Sequence, residues 1–142
     1  MAAIDVATYV LEQKGEMSAM KLQKLVYYSQ AWSLVWDERP LFDESIEAWA
    51  NGPVCPALYA RHRGNFLVTA GTFGGNSAIL DATAKETIDR VLEFYGDKPA
   101  QWLSELTHIE RPWLEARDGV PVGARCSNVI EHAAMAEYYA AL

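Results

Sequence analysis

Apolar residues recur along this chain mainly at spacings of three and four, the period of a helix. Ala3, Val6, Ala7, Val10 and Leu11 share one face of a segment at 3–14, with Asp5, Thr8 and Glu12 opposite. Gly15 follows, where a left-handed residue ends a helix at little cost. Ser18 is a suitable N-cap for a second helix over 18–36. There Leu22, Leu25, Val26, Ser29, Trp32, Ser33 and Trp36 form a stripe at core spacing. Lys21, Lys24, Tyr28, Ala31 and Val35 run down another side, and spacing alone leaves open whether that side is solvated or binds something.

After Pro40 the pattern changes. Residues 45–50 alternate, which predicts a short extended segment, and "NGPVCP" reads as a turn with Gly52 at positive φ. Pro56 fits the first turn of a short helix that Gly64 stops. The glycine-rich stretch 64–80 reads as loop or a poor hairpin. "DATAKETIDRVLEFYG" is the clearest helix, with Thr83 and Glu86 at capping-box spacing and Ala84, Ile88, Val91, Leu92 and Tyr95 inward. A shorter helix over 97–108 turns Trp102, Leu103 and Leu106 inward. Pro112 opens a brief turn, and Ser127 or Asn128 caps a final helix. The prediction is a mainly α, single compact domain over 1–142, with five to six helices and at most a short strand or hairpin.

Composition narrows the function classes. A chain of 142 residues, 51% hydrophobic, suits one self-sufficient core with no metal or disulfide required. A net charge of −7 opposes a broad nucleic-acid footprint, so nucleic acid is an unlikely partner. Cys55 and Cys126 read as reduced thiols of a cytoplasmic protein. The N-terminus lacks a basic signal-peptide region, and no apolar run reaches membrane-spanning length.

Candidate chemistry is sparse. His62, His108 and His132 have no metal-ligand spacing. "GTFGGN" lacks the strand-to-helix context and the lysine of a phosphate loop, and no GxSxG elbow occurs. Cys55 sits at a helix start, where a dipole lowers thiol pKa, but a buried thiol in a turn is the commoner case. Asp37, Glu38, Asp43, Glu44 and Glu47 make an acidic stretch that reads as solvated surface or as a dock for a basic partner. In "THIERPW", Trp113 reads as packed on the core with His108 bonded to a loop carbonyl, or as part of a recognition loop.

Three segments together carry a resemblance: "KLQKLVYY", "LFDESIEAWANGPVCPALY" and "LTHIERPW". In that order the chain resembles the Panacea, SocA-like antitoxin family, which includes GepA-type phage-associated proteins. The resemblance implies a cytoplasmic, non-enzymatic antitoxin of a toxin–antitoxin or phage-defence system, without cofactor or metal. It further implies a cognate protein toxin from an adjacent gene, neutralised by direct binding and occlusion, or else delivered to a protease. The expected toxin contacts are Lys21, Lys24, Tyr28, Asp43, Glu44, Glu47, Phe66 and Phe73. The motif positions expected to hold the fold are Leu22, Leu25, Tyr27, Trp32, Trp49, Gly52, Pro53, Val54, Tyr59, His108, Pro112 and Trp113. Asn51 and the stretch 61–76 depart from the family pattern.

Overall fold

The computed structural model describes residues 1–142. Its first half holds α1 (Ala3–Lys14), β1 (Met17–Ser18), α2 (Ala19–Trp36), β2 (Glu47–Trp49), β3 (Gly52–Val54) and α3 (Pro56–His62). Next come β4 (Leu67–Val68), α4 (Ala70–Phe73) and a 3₁₀ turn at Ser77–Ile79. Four helices complete the chain: α5 (Ala82–Tyr95), α6 (Ala100–His108), α7 (Arg111–Arg117) and α8 (His132–Ala140). One hydrophobic core of 33 buried residues runs from Ala3 to Tyr139.

α2 is the axis. It starts where the sequence predicts, with Ser18 Oγ accepting from Lys21 N at 3.1 Å. α1, α5, α6 and α8 pack around it, and β3 crosses its N-terminal half. Every residue from Leu22 to Ala31 is buried. A helix covered on all sides leaves its polar groups no water, so each needs an internal partner. Gln30 takes Leu41 N on its Oε1 at 2.7 Å and donates Nε2 to Phe42 O at 2.8 Å, thereby pinning the irregular segment after Pro40. Ser33 donates to Arg39 O at 2.8 Å. Gln23 does the same for the Cys55 backbone, accepting its N–H at 2.9 Å and donating to its carbonyl at 3.3 Å.

β2 and β3 form a hairpin in the register Glu47↔Val54, Ala48↔Pro53, Trp49↔Gly52. Gly52 sits at φ +118°, and a Cβ there would lie 2.6 Å from Lys24 Cε. Trp113 Nε1 donates to Trp49 O at 2.8 Å. Arg117 donates to the carbonyls of Ala48, Pro121 and Ala124 while stacking on the Trp113 ring at 4.8 Å. Buried cations without a carboxylate thus serve here as carbonyl clamps.

Several sequence expectations are corrected. There are eight helices rather than five to six, because the single-turn α4 and the two-turn α7 occupy segments read as loop and turn. Residues 64–80 are pinned by groups of α1 expected to face solvent: Thr8 Oγ1 accepts from Gly75 N at 3.0 Å and Asp5 from Asn76 N at 2.8 Å. β4 pairs antiparallel with β1. α5 is capped by Asp81, which accepts from Ala84 N at 2.8 Å, and not by Thr83. α8 begins after Glu131 rather than at Ser127 or Asn128, because 128–130 run extended beside β2. Ala48 N bonds Asn128 O and Ile130 N bonds Ile46 O, each at 2.8 Å.

Candidate functional site

On the Lys/Tyr side of α2, the expected binding face, Lys24 and Tyr28 are buried and Lys21 is half-buried. Lys24, Tyr28 and Phe73 are at most 1% exposed. Lys24 turns inward to donate to Pro53 O at 3.3 Å. Burial pulls its ammonium down to about 7. Tyr28 stacks on Tyr95 at 4.1 Å and donates to Glu110 Oε1 at 2.7 Å. Phe73, the last residue of α4, points into the core, edge-on to His62. Of the other expected contacts, Phe66 is 72% exposed and Asp43 is exposed, while Lys21 is half-buried. Glu44 accepts from Ala3 N at 3.2 Å and Glu47 from Trp49 Nε1 at 2.8 Å. Much of the acidic stretch therefore holds the fold.

Glu110 is the buried centre of a phenol cluster. Tyr139 donates to the same Oε1 at 2.8 Å, which leaves Tyr27 as donor to the Tyr139 oxygen at 3.0 Å. Burial raises the Glu110 carboxyl above its usual range, and the two phenols partly offset this. Burial also raises all three tyrosines.

Above this cluster lies an open groove of about 550 Å³. α2 contributes Trp32 and Trp36, stacked at 4.9 Å. α5 contributes Phe94 and Tyr95, α6 Trp102 and Leu106, and α8 Tyr138, with Ile109 and Leu142 at the edges. Sequence spacing placed Trp36 and Trp102 inward, yet they are 44% and 39% exposed. Three cations lie over the groove's aromatic rings: Arg90 over Trp36 at 6.0 Å, Lys98 over Trp102 at 4.9 Å and Arg111 over Tyr138 at 5.4 Å. Large exposed aromatic side chains with arginine neighbours have the composition of protein-binding hot spots.

A second concavity of about 870 Å³ opens at the other end of α2. Motif residues from two segments meet in its wall: Gln23 and Lys24 of α2, Trp49 and Val54 of the hairpin, and Tyr59 of α3. His62 completes one side, 3.0 Å from Gln23 Nε2. Burial lowers the pKa of His62 and of His108, and Lys24 lowers both further. His108 packs on Trp113 with ring centres 4.2 Å apart, and its Nε2 is buried without a partner.

The catalytic reading of Cys55 loses its basis, because burial pushes that thiol up rather than down. No three His, Cys, Asp or Glu side chains are grouped to hold a metal ion. No helix is long and apolar enough to cross a membrane.

The structure is that of a small, mainly helical module with an exposed aromatic groove. The particular family follows from comparison. Residues 22–114 match the family described as Antitoxin SocA-like, Panacea domain, and the chain belongs to that family. It is 30% identical to the protein named Antitoxin SocA of Caulobacter vibrioides (strain NA1000 / CB15N), across 81% of this chain and 70% of that relative. No solved structure matches.

Proposed function

We propose that this chain is the antitoxin of a toxin–antitoxin pair and neutralises a cognate protein toxin by binding it directly through the aromatic groove. The observation that carries this reading is the clustering of Trp36, Phe94, Trp102, Ile109 and Leu142, all exposed, around one groove. Contiguous exposed apolar surface of this kind marks a protein interface. The cations over its rings favour a partner segment whose apolar side chains are flanked by carboxylates. A stable inhibitory complex buries roughly 800 Å² on each partner, so the groove serves as the anchor and neighbouring surface completes the contact. Occlusion of the toxin's working site follows if the anchored segment borders that site.

Delivery of the toxin to a protease is the second reading. It is favoured by a separate exposed patch of Met20, Phe66 and Leu67 near the opposite end of α2, about 24 Å from Trp36 along the helix at 1.5 Å per residue. An adaptor needs two such surfaces.

The test is co-expression with the product of the adjacent open reading frame. Growth rescue with a co-purifying complex, both lost in Phe94→Glu/Ile109→Glu, supports neutralisation through the groove. Rescue with disappearance of the neighbour, lost in Phe66→Glu, supports the adaptor reading. A harmless neighbour, or no rescue, overturns both.

A further inference from the structure

We propose that the 870 Å³ cavity at the N-terminal end of α2 is a binding site for a monocarboxylate carrying an apolar body. This goes beyond toxin binding and does not depend on it.

Charge comes first. The protein carries −7 overall, yet no aspartate or glutamate lines this cavity, while Lys24 and Arg125 do. Lys24 is 1% exposed as a residue, and its ammonium has one protein partner, the Pro53 carbonyl at 3.3 Å. An ammonium has three donors. A buried cation with no counter-ion is costly, and an anion placed beside it removes that cost. The titratable neighbours of Lys24 are His62 from α3 and His108 from α6, and burial together with the Lys24 charge lowers the pKa of both imidazoles, so neither supplies a counter-charge. Arg125 stands exposed in the wall. No carboxylate of the protein offsets the Lys24 charge.

Shape and surface set the ligand class. Met20, Trp49, Val54 and Tyr59 supply apolar and aromatic wall, with Trp49 and Tyr59 edge-to-face at 5.0 Å. One buried cation matches a single negative charge. A dianionic phosphate needs several convergent donors, and Gln23 is already committed to Cys55 and His62. The shared chemistry is found both in a free aryl- or alkyl-carboxylic acid and in the C-terminal residue of a peptide.

The experiment titrates the full chain with four probes: 3-phenylpropionate, N-acetyl-Ala-Leu, the C-terminal amide of that dipeptide, and inorganic phosphate. Binding is followed by calorimetry and by the Trp49 indole resonance. The expected result is saturable binding of at least one carboxylate and at least tenfold weaker binding of the amide. Lys24→Met abolishes binding while still unfolding cooperatively, and Arg125→Ala, at an exposed position, weakens it severalfold. Affinity falls about 25-fold between pH 6.5 and 8.5 as the Lys24 ammonium, at about 7, loses its proton. Binding of the dipeptide alone assigns the site to a chain terminus, and binding of phenylpropionate alone assigns it to a free acid. Equal affinity for acid and amide, tighter binding of phosphate, or no saturation by either carboxylate up to about 10 mM overturns the proposal.

Discussion

The two ends of α2 use the same kinds of residue for opposite purposes. In the N-terminal half, polar groups face inward: Gln23 and Lys24 are buried and hold the start of α3 and the hairpin. In the C-terminal half, aromatic groups face outward, and Trp36 leans over an open groove. Polarity by itself therefore does not separate binding face from core. What separates them is what packs across each face. The hairpin covers the polar end, while α5, α6 and α8 splay around the aromatic end.

The strongest way to break this contrast is at the hairpin. Trp113→Ala removes a fully buried ring and leaves Trp49 O without its donor. The expected loss is about 3–5 kcal/mol, read by chemical denaturation. Gly52→Ala comes next. It places a methyl at φ +118°, 2.6 Å from Lys24 Cε, a position that strains any L side chain. A loss of about 2 kcal/mol is expected from strain and forced repacking together, read as a lowered denaturation midpoint.

The groove behaves in the reverse way. Phe94 and Ile109 are 61% and 74% exposed, so Phe94→Glu/Ile109→Glu changes stability by less than about 1 kcal/mol. Partner affinity falls by 100-fold or more, as expected when hot-spot residues worth about 2 kcal/mol or more each are lost. The calorimetric titration and the melting curve are read on the same samples.

A change of pH sharpens the chemistry of the polar end. Lys24 titrates near 7 when folded against an ordinary value of 10.5. Between those values the unfolded chain binds the extra proton, so stability rises with pH across that window. The slope from this group is at most about 1.4 kcal/mol per pH unit. Lys24→Met removes that slope between pH 7 and 9.5. Below pH 7 both states hold the proton, and the group contributes no slope.

Much of this organisation was legible in the sequence. The Ser18 cap, the span of α2, the inward face of α5 and the extended Glu47–Trp49 segment follow from local rules, and the three motif segments identify the family. What was not legible depends on long-range packing. Spacing describes α2 as two-faced because it cannot show that the hairpin covers the Lys24 side. Asp5 and Thr8 look like solvent-facing residues until Gly75 and Asn76 return to them from seventy residues away. The groove is assembled from the ends of four helices and leaves no local signature, although Trp36 at the end of an apolar stripe is a hint. Asp81 and Thr83 are both acceptable caps. Arg39 makes Asp81 the better anchor through a two-pronged pair at 2.7 and 2.9 Å.

The most direct test is calorimetric titration of the purified cognate toxin into the intact chain, the Phe94→Glu/Ile109→Glu variant and the Phe66→Glu variant. The aromatic groove as anchor predicts tight binding by the intact chain and by Phe66→Glu, with loss of binding in the double variant. Unchanged binding by the double variant would contradict it.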